Sequence, residues 1–351
     1  MCFKREVFQC RACRKSTAVL DGELGLEAGR NIDHGLAEKA ALFGAFQSFD
    51  QGAKFLKKVL NVSISPSEIQ RIIQRHGQLI DADQRCQEAH YNAPLNPWRD
   101  DAPAPVKTPQ KLVLQADATS VLTKADEENK SVYCATAFAL EDRAEKNGKP
   151  FIIGRGYTGS AVDMDDFGPR LKALAWKWGM RSASQTAFVG DGARCLWKWA
   201  EKNLPKGTIF IQDFWHACEH LSKLAKDLDS EGWEDNYRRW KSLLYHGESE
   251  SILEELRAQK KRRRCPEKRK RLREEITYLG NGKDRMDYPR YRREGWPMGS
   301  GAIEGTCKHL VKERYNVTGA QWRRENVPNV LALRLAFFNE EWDDYWKKEA
   351  A

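Results

Sequence analysis

Apolar positions along the chain follow three successive patterns. From about Gly35 to Ile80 they recur at helical spacing, in "GLAEKAALFGAFQSF", "DQGAKFLKKVLN" and "SPSEIQRIIQRHGQLI". The third segment places Ser65 as an N-cap, Pro66 at the first helical position and Glu68 three residues after Ser65. Three short helices, the last carrying Arg71 and Arg75, predict a helix-turn-helix-like DNA-binding region over 31–91. Polar, proline-rich "NAPLNPWRDDAPAPVKTPQ" predicts a linker over 92–110.

The pattern then changes to strands alternating with helices. "KLVLQADAT", "SVYCATAFALE" and "KPFIIGRGYTG" predict three strands, and "DDFGPRLKALAWKWG" a helix with Phe167, Leu171, Leu174, Ala175 and Trp178 on its apolar face. "QTAFVGDGA" and "GTIFIQDFWH" predict two further strands, each followed by a helix. That order, β-β-β-α-β-α-β-α, predicts an α/β fold with a mixed five-stranded sheet. A third pattern, from about Asp229 to Arg293, is helical, highly charged and tryptophan-bearing, and a last helix follows in "ENVPNVLALRLAFFNEEWDDYWKKEAA".

Charge adds a partner to this picture. Lys and Arg outnumber Asp and Glu by 59 to 50, a net charge of +9, and the excess is local. "KKRRRCPEKRKRLREE", Lys260 to Glu275, holds ten bases against three acids, the balance expected of a polyanion-binding surface or of a solvated basic helix. The nine cysteines are dispersed, apart from Cys10 and Cys13. Without an apolar leader in "MCFKREVFQC" or a membrane-length apolar run, this usage predicts the reducing cytoplasm and no membrane partner. Cys10 and Cys13 form one C-x-x-C among bases, half of a zinc ribbon or an unligated remnant, over a knuckle-like segment 1–30.

Carboxylates supply the candidate chemistry. Asp117 and Asp191 each end a predicted strand and enter a turn, and Glu304 opens a helix inside "GWPMGSGAIEG". Singly, each reads equally as a turn former or helix cap. Together, three acids at one crevice would repel one another unless cations lie between them, a setting suited to Mg²⁺. "HACEH" carries His216 and His220 four residues apart, but Glu219 adjoins the second histidine, so it is not H-E-x-x-H and no zinc site is expected.

"LQADAT", "FVGDGA" and "GSGAIEG" resemble the catalytic positions of DDE transposases with a ribonuclease H-like fold. More narrowly, "VGDGARCLWKWAE", "IQDFWHACEHL", "PMGSGAIEGTCKHLVKERY" and "VLALRLAFFN" resemble insertion-sequence transposases of the ISKra family, over about Leu112 to Asn339. The resemblance implies a ribonuclease H-like catalytic domain over 111–228 and 294–345, interrupted by a basic helical insertion at 229–293. It implies that Asp117, Asp191 and Glu304 hold two Mg²⁺ (or Mn²⁺) ions, and that Asp213 and His216 of "DFWH" adjoin the site, His216 with a catalytic part. For His216 a buried histidine paired with a helix-start acid is the alternative. Lys308, Lys312 and Arg314, spaced along the helix after Glu304, are expected to grip the strand being cut, or to form a solvated face. The implied partners are transposon ends and target DNA, bound by a homodimer or higher homo-oligomer at the bacterial nucleoid. A metal-dependent nuclease and a catalytically silent DNA-binding relative stay open on the same residues.

Overall fold

The computed structural model describes residues 7–17, 32–94 and 103–350. Cys2, residues 18–30 of the knuckle-like segment and residues 95–102 of the predicted linker lie outside the described residues. The chain forms two compact units: Met1–Gln84, Leu122–Glu128 and Glu313–Ala351 make one, and Arg85–Val121 with Asn129–Lys312 the other.

The first unit begins with a two-stranded ribbon, β1 (Phe8–Gln9) and β2 (Ser16–Thr17), which holds Cys10 and Cys13 in its turn. Three helices follow: α1 (His34–Phe46), α2 (Phe49–Leu60) and α3 (Pro66–Asn92), whose end from Arg85 onward belongs to the second unit. Each start is capped by a side-chain oxygen. Asp33 accepts from the Leu36 N–H at 2.7 Å, Ser48 from Gln51 at 3.2 Å, and Ser65 from Glu68 at 3.1 Å. The small-residue stripe of α1 lets α3 approach closely, because a Cβ on Gly44 would meet Ile73 Cδ1 at 2.5 Å and Ile69 Cγ2 at 2.7 Å.

The second unit is a mixed α/β sheet with helices on both faces. Its strands are β3 (Lys111–Val121), β4 (Lys130–Ala139), β7 (Gly156–Ser160), β8 (Gln185–Gly190) and β9 (Ile209–Gln212), with a separate hairpin of β5 (Arg143–Lys146) and β6 (Lys149–Ile152). The sheet order is β7-β4-β3-β8-β9; β4 is antiparallel to β3 and β7, while β8 is parallel to β3 and β9. The predicted third strand therefore divides. Lys149–Ile152 turns back at Asn147–Gly148, both with positive φ (53° and 72°), and only Gly156–Ser160 joins the sheet. Asn-Gly is a strong two-residue hairpin signal that the apolar run beyond it masked.

Alternation on β3 sends Leu112, Leu114 and Ala116 to one face and Val113, Gln115 and Asp117 to the other. The first face packs against α4 (Met164–Lys177) and α5 (Arg194–Asn203) through Phe167, Leu171, Leu196 and Trp197. The opposite face meets α6 (Phe214–Leu228) and the helices α7 (Trp233–Tyr245), α8 (Ser249–Arg262), α9 (Pro266–Gly282) and α10 (Tyr288–Arg293). After α10 comes α11 (Gly301–Cys307), then a π-helical turn over 308–312.

The chain then re-enters the first unit through α12 (Glu313–Tyr315), α13 (Val327–Phe338) and α14 (Trp342–Ala350). The sheet-bearing unit thus ends at Lys312, not at 345 as expected. Gln74 Nε2 donates to Asn326 Oδ1 at 2.6 Å, and His76 Nδ1 lies 2.7 Å from the Tyr345 hydroxyl. Helix α13 is buried nearly all round, so its sequence offers no single apolar face from which to read its neighbour. Among the described residues no helix is long and apolar enough to cross a membrane.

Candidate active site

The parallel ladder between β3 and β8 ends at the pair Gln115–Val189. Two residues further along each chain come Asp117, still within β3, and Asp191, just past the end of β8, near enough for its charge to act on Asp117. Asp117 does not end its strand as expected: β3 runs on to Val121 because β4 stays paired with it, with Cys134 opposite Asp117. Asp191 does leave its strand, in a turn where Gly192 has φ +121°. Burial, and then the negative charge of Asp191, push the Asp117 carboxyl up from 3.8 to about 6; Glu304 adds to this, while the Ala118 N–H and Lys312 oppose it.

Glu304 reaches this place through a buried bracket. Asp213, 1% exposed, caps α6 by accepting from the backbone N–H groups of Trp215 (2.6 Å) and His216 (2.9 Å) through Oδ1. Its Oδ2 accepts from the Ser300 N–H at 2.7 Å and lies against the Ser300 hydroxyl. That hydroxyl, with one proton to donate, also lies 3.1 Å from Glu304 Oε1. Across the same turn Gln115 donates to the Gly299 carbonyl at 3.2 Å and accepts from the Ile303 N–H at 3.0 Å, tying the start of α11 to β3.

The glycines of "GSGAIEG" divide by role. A Cβ on Gly299 would strike Trp215 Cδ1 at 2.8 Å, so that glycine is a packing requirement. At Gly301 and Gly305 an added Cβ would meet nothing within 4 Å, so the surface around exposed Glu304 is open to a large ligand.

The Asp191 turn is held from below. Gln212 Nε2 donates to the Asp191 carbonyl at 2.6 Å and to the Tyr278 hydroxyl at 2.8 Å. His216, half-buried, meets Asp213 through its backbone; its ring packs 4.9 Å from that of His220 and 6.2 Å from that of Tyr278. His220 stacks flat on Tyr278 at 3.9 Å and pairs with Glu275 at 3.1 Å. The histidine pair therefore supports the wall of the site through Tyr278.

The candidate DNA-contacting bases separate sharply. Lys308 and Lys312 are exposed on the turn after α11, and Lys312 is close enough to Asp117 to act on its charge. Arg314 is a correction: it is 3% exposed, its Nε donates to the Gly44 carbonyl at 3.0 Å, and its guanidinium lies over Trp322 at 4.6 Å. Burial lowers its pKa to about 10. It braces the end of α1 and presents no charge to a DNA backbone. Arg71 and Arg75 are exposed on α3, Arg71 in an ion pair with Glu68 at 2.8 Å. Cys10 and Cys13 are exposed in their turn, and hydrogen bonds from the Cys13 N–H and thiol lower the Cys10 pKa.

As they stand, no three His, Cys, Asp or Glu side chains among the described residues are close enough together to hold a metal ion. Each acid turns one oxygen to a local donor instead: Asp117 to Ala118 (2.6 Å), Asp191 to Ala193 (3.2 Å) and Glu304 to Ser300 (3.1 Å). Like charges held near one another do this. Sequence reasoning overlooked Gln115, Gln212 and Tyr278, and read Ser300 only as a small residue that lets DNA approach, not as the link between Asp213 and Glu304; the signal for Gln115 was an amide in the apolar start of its strand. The sequence matches no known family profile and no curated protein.

Proposed function

We propose that this protein is a DDE-type transposase that cuts DNA and joins the freed 3′-hydroxyl to target DNA by phosphoryl transfer. The observation that carries the reading is that Asp117 on β3 and Asp191 just past β8 follow the end of one parallel ladder, with Asp191 and Glu304 both close enough to raise the charge cost of ionising Asp117. The strand order, three antiparallel strands followed by two parallel ones, is compatible with the ribonuclease H-like fold that such enzymes share. A helical stretch between α6 and α11 fits an insertion ahead of the last acid.

The donor set is all carboxylate oxygen, which suits Mg²⁺ or Mn²⁺, and the repulsion that Asp191 and Glu304 add to burial at Asp117 is what divalent cations would relieve. Asp117, Asp191 and Glu304 would hold the ions, which supply activation of the attacking oxygen and stabilisation of the leaving one. The chain's own work is placement. Gln212 and Tyr278 hold the Asp191 turn, Asp213 and Ser300 hold the helix that carries Glu304, and Lys312 sets a positive charge beside the acids. Fixed positioning and charge neutralisation of this kind are the main protein contributions to phosphoryl transfer.

The test is nicking of supercoiled plasmid in Mg²⁺ or Mn²⁺ by the full chain, Asp191→Asn and Glu304→Gln. Metal-dependent nicking lost in both variants supports the reading. Nicking that survives Glu304→Gln removes Glu304 from the chemistry and leaves it as a first-turn residue of α11.

A further inference from the structure

Beside the Asp191 turn lies a cavity of about 620 Å³, within the size range of ligand sites. Its wall starts at Gly192, the residue after Asp191, and runs between α5 and α9. Helix α5 contributes Arg194 and Lys198, four residues apart and so about 6 Å along one face. Helix α9 contributes Arg273 and Thr277 at the same spacing from the other side.

Charge accounting shows what the cavity is suited to hold. Its two carboxylates already have partners: Glu201 pairs with Arg285, and Glu274 with Arg271 at 2.9 Å. Arg194, Lys198 and Arg273 are exposed and have no ion-pair partner among the described residues. Three uncompensated cations around one cavity favour a polyanion. The same cavity shares its wall with the Asp191 turn, through Gly192, Gln212 and Tyr278.

Resting on the phosphoryl-transfer reading above, we infer that this cavity seats the nucleotide adjoining the scissile phosphate, its phosphates held by Arg194, Lys198 and Arg273. A strand whose phosphodiester lies at Asp191 continues to a neighbouring nucleotide, and Gly192 opens onto the space for it. The contacts are to backbone phosphate, so they are indifferent to base sequence and sensitive to salt.

The experiment is metal-free binding of a fluorescein-labelled DNA strand, single and in duplex, to the full chain in chelator across a salt series. The variants are Arg194→Glu with Lys198→Glu, and Lys206→Glu as an exposed control outside the cavity. The cavity pair is expected to bind at least about tenfold more weakly for every sequence, with the salt slope reduced by about 2, one per lost phosphate contact. Lys206→Glu is expected to leave the slope unchanged. An unchanged slope in the cavity pair overturns the inference. So does displacement of the strand by equal concentrations of a free nucleoside triphosphate, which would assign the cavity to a small nucleotide. Binding is read without metal, so inactive acids would sink the proposed function and leave this outcome legible.

Discussion

Asp117, within β3, and Asp191, in the turn just past β8, each lie two residues beyond the Gln115–Val189 pair that ends the parallel ladder, and the charge of Asp191 acts on Asp117. Neither acid has a basic ion-pair partner among the described residues, and burial first, then the charge of Asp191, raises the Asp117 carboxyl to about 6. The site is thus under electrostatic strain that folding tolerates, and that strain yields the first prediction.

A raised carboxyl pKa means that the fold prefers the protonated acid. Stability from this group is fully present below its ordinary value of 3.8 and is lost as pH rises through about 6. A shift of that size corresponds to at most about 3 kcal/mol. In chelator at neutral pH, Asp117→Asn should therefore melt higher than the parent, with the difference vanishing near pH 4. Mg²⁺ should raise the melting temperature of the parent and do so less for the variant. Equal melting at neutral pH would remove the strain argument.

Ser300→Ala should separate positioning from folding. The hydroxyl between Asp213 and Glu304 is lost while the Ser300 N–H still meets Asp213. Stability should fall by about 1 kcal/mol, and metal-dependent nicking by about tenfold or more. Asp213→Ala removes the α6 cap and the bracket together, and urea unfolding should show a loss of about 3 kcal/mol. Undiminished nicking by Ser300→Ala would show that Glu304 does not depend on this bracket.

Lys312 and Arg314 are two residues apart and should behave oppositely. Lys312→Ala should leave thermal stability nearly unchanged, weaken DNA binding and lower its salt slope by about 1. Arg314→Ala deletes a buried guanidinium bonded to Gly44 and should destabilise the fold by about 3 kcal/mol. A fully stable Arg314→Ala with a reduced salt slope would restore Arg314 to the DNA-contacting set.

Gly77→Ala tests the packing of α3 on α13 in the first unit. The new Cβ would lie 2.4 Å from the Asn329 carbonyl oxygen and 2.7 Å from its Cα, and backbone cannot step aside as a side chain can. Denaturant unfolding should show a loss of about 2 kcal/mol or more, with the second unit's metal response retained. A neutral substitution would mean that α13 does not seat against Gly77.

Much of this architecture is legible along the chain because local periodicity carries it. Ser65 and Pro66 announce the start of α3, and the alternation through "KLVLQAD" marks a strand with one polar-bearing face. Capping chemistry and side-chain alternation involve residues within four positions of each other, so neighbours in sequence suffice to reveal them. The candidate acids were likewise visible as carboxylates beside small residues. Their relationship was not. That β3 pairs with β8 up to Gln115–Val189 just before the two aspartates, that Asp213 reaches Ser300 across 87 positions, and that Arg314 turns inward to Gly44 all depend on which faces are buried against each other. The same holds for α13, apolar on nearly every side, whose partner only packing could select. Residues far apart in sequence meet where burial brings their elements together, and a one-dimensional pattern contains the faces but not the pairing of faces.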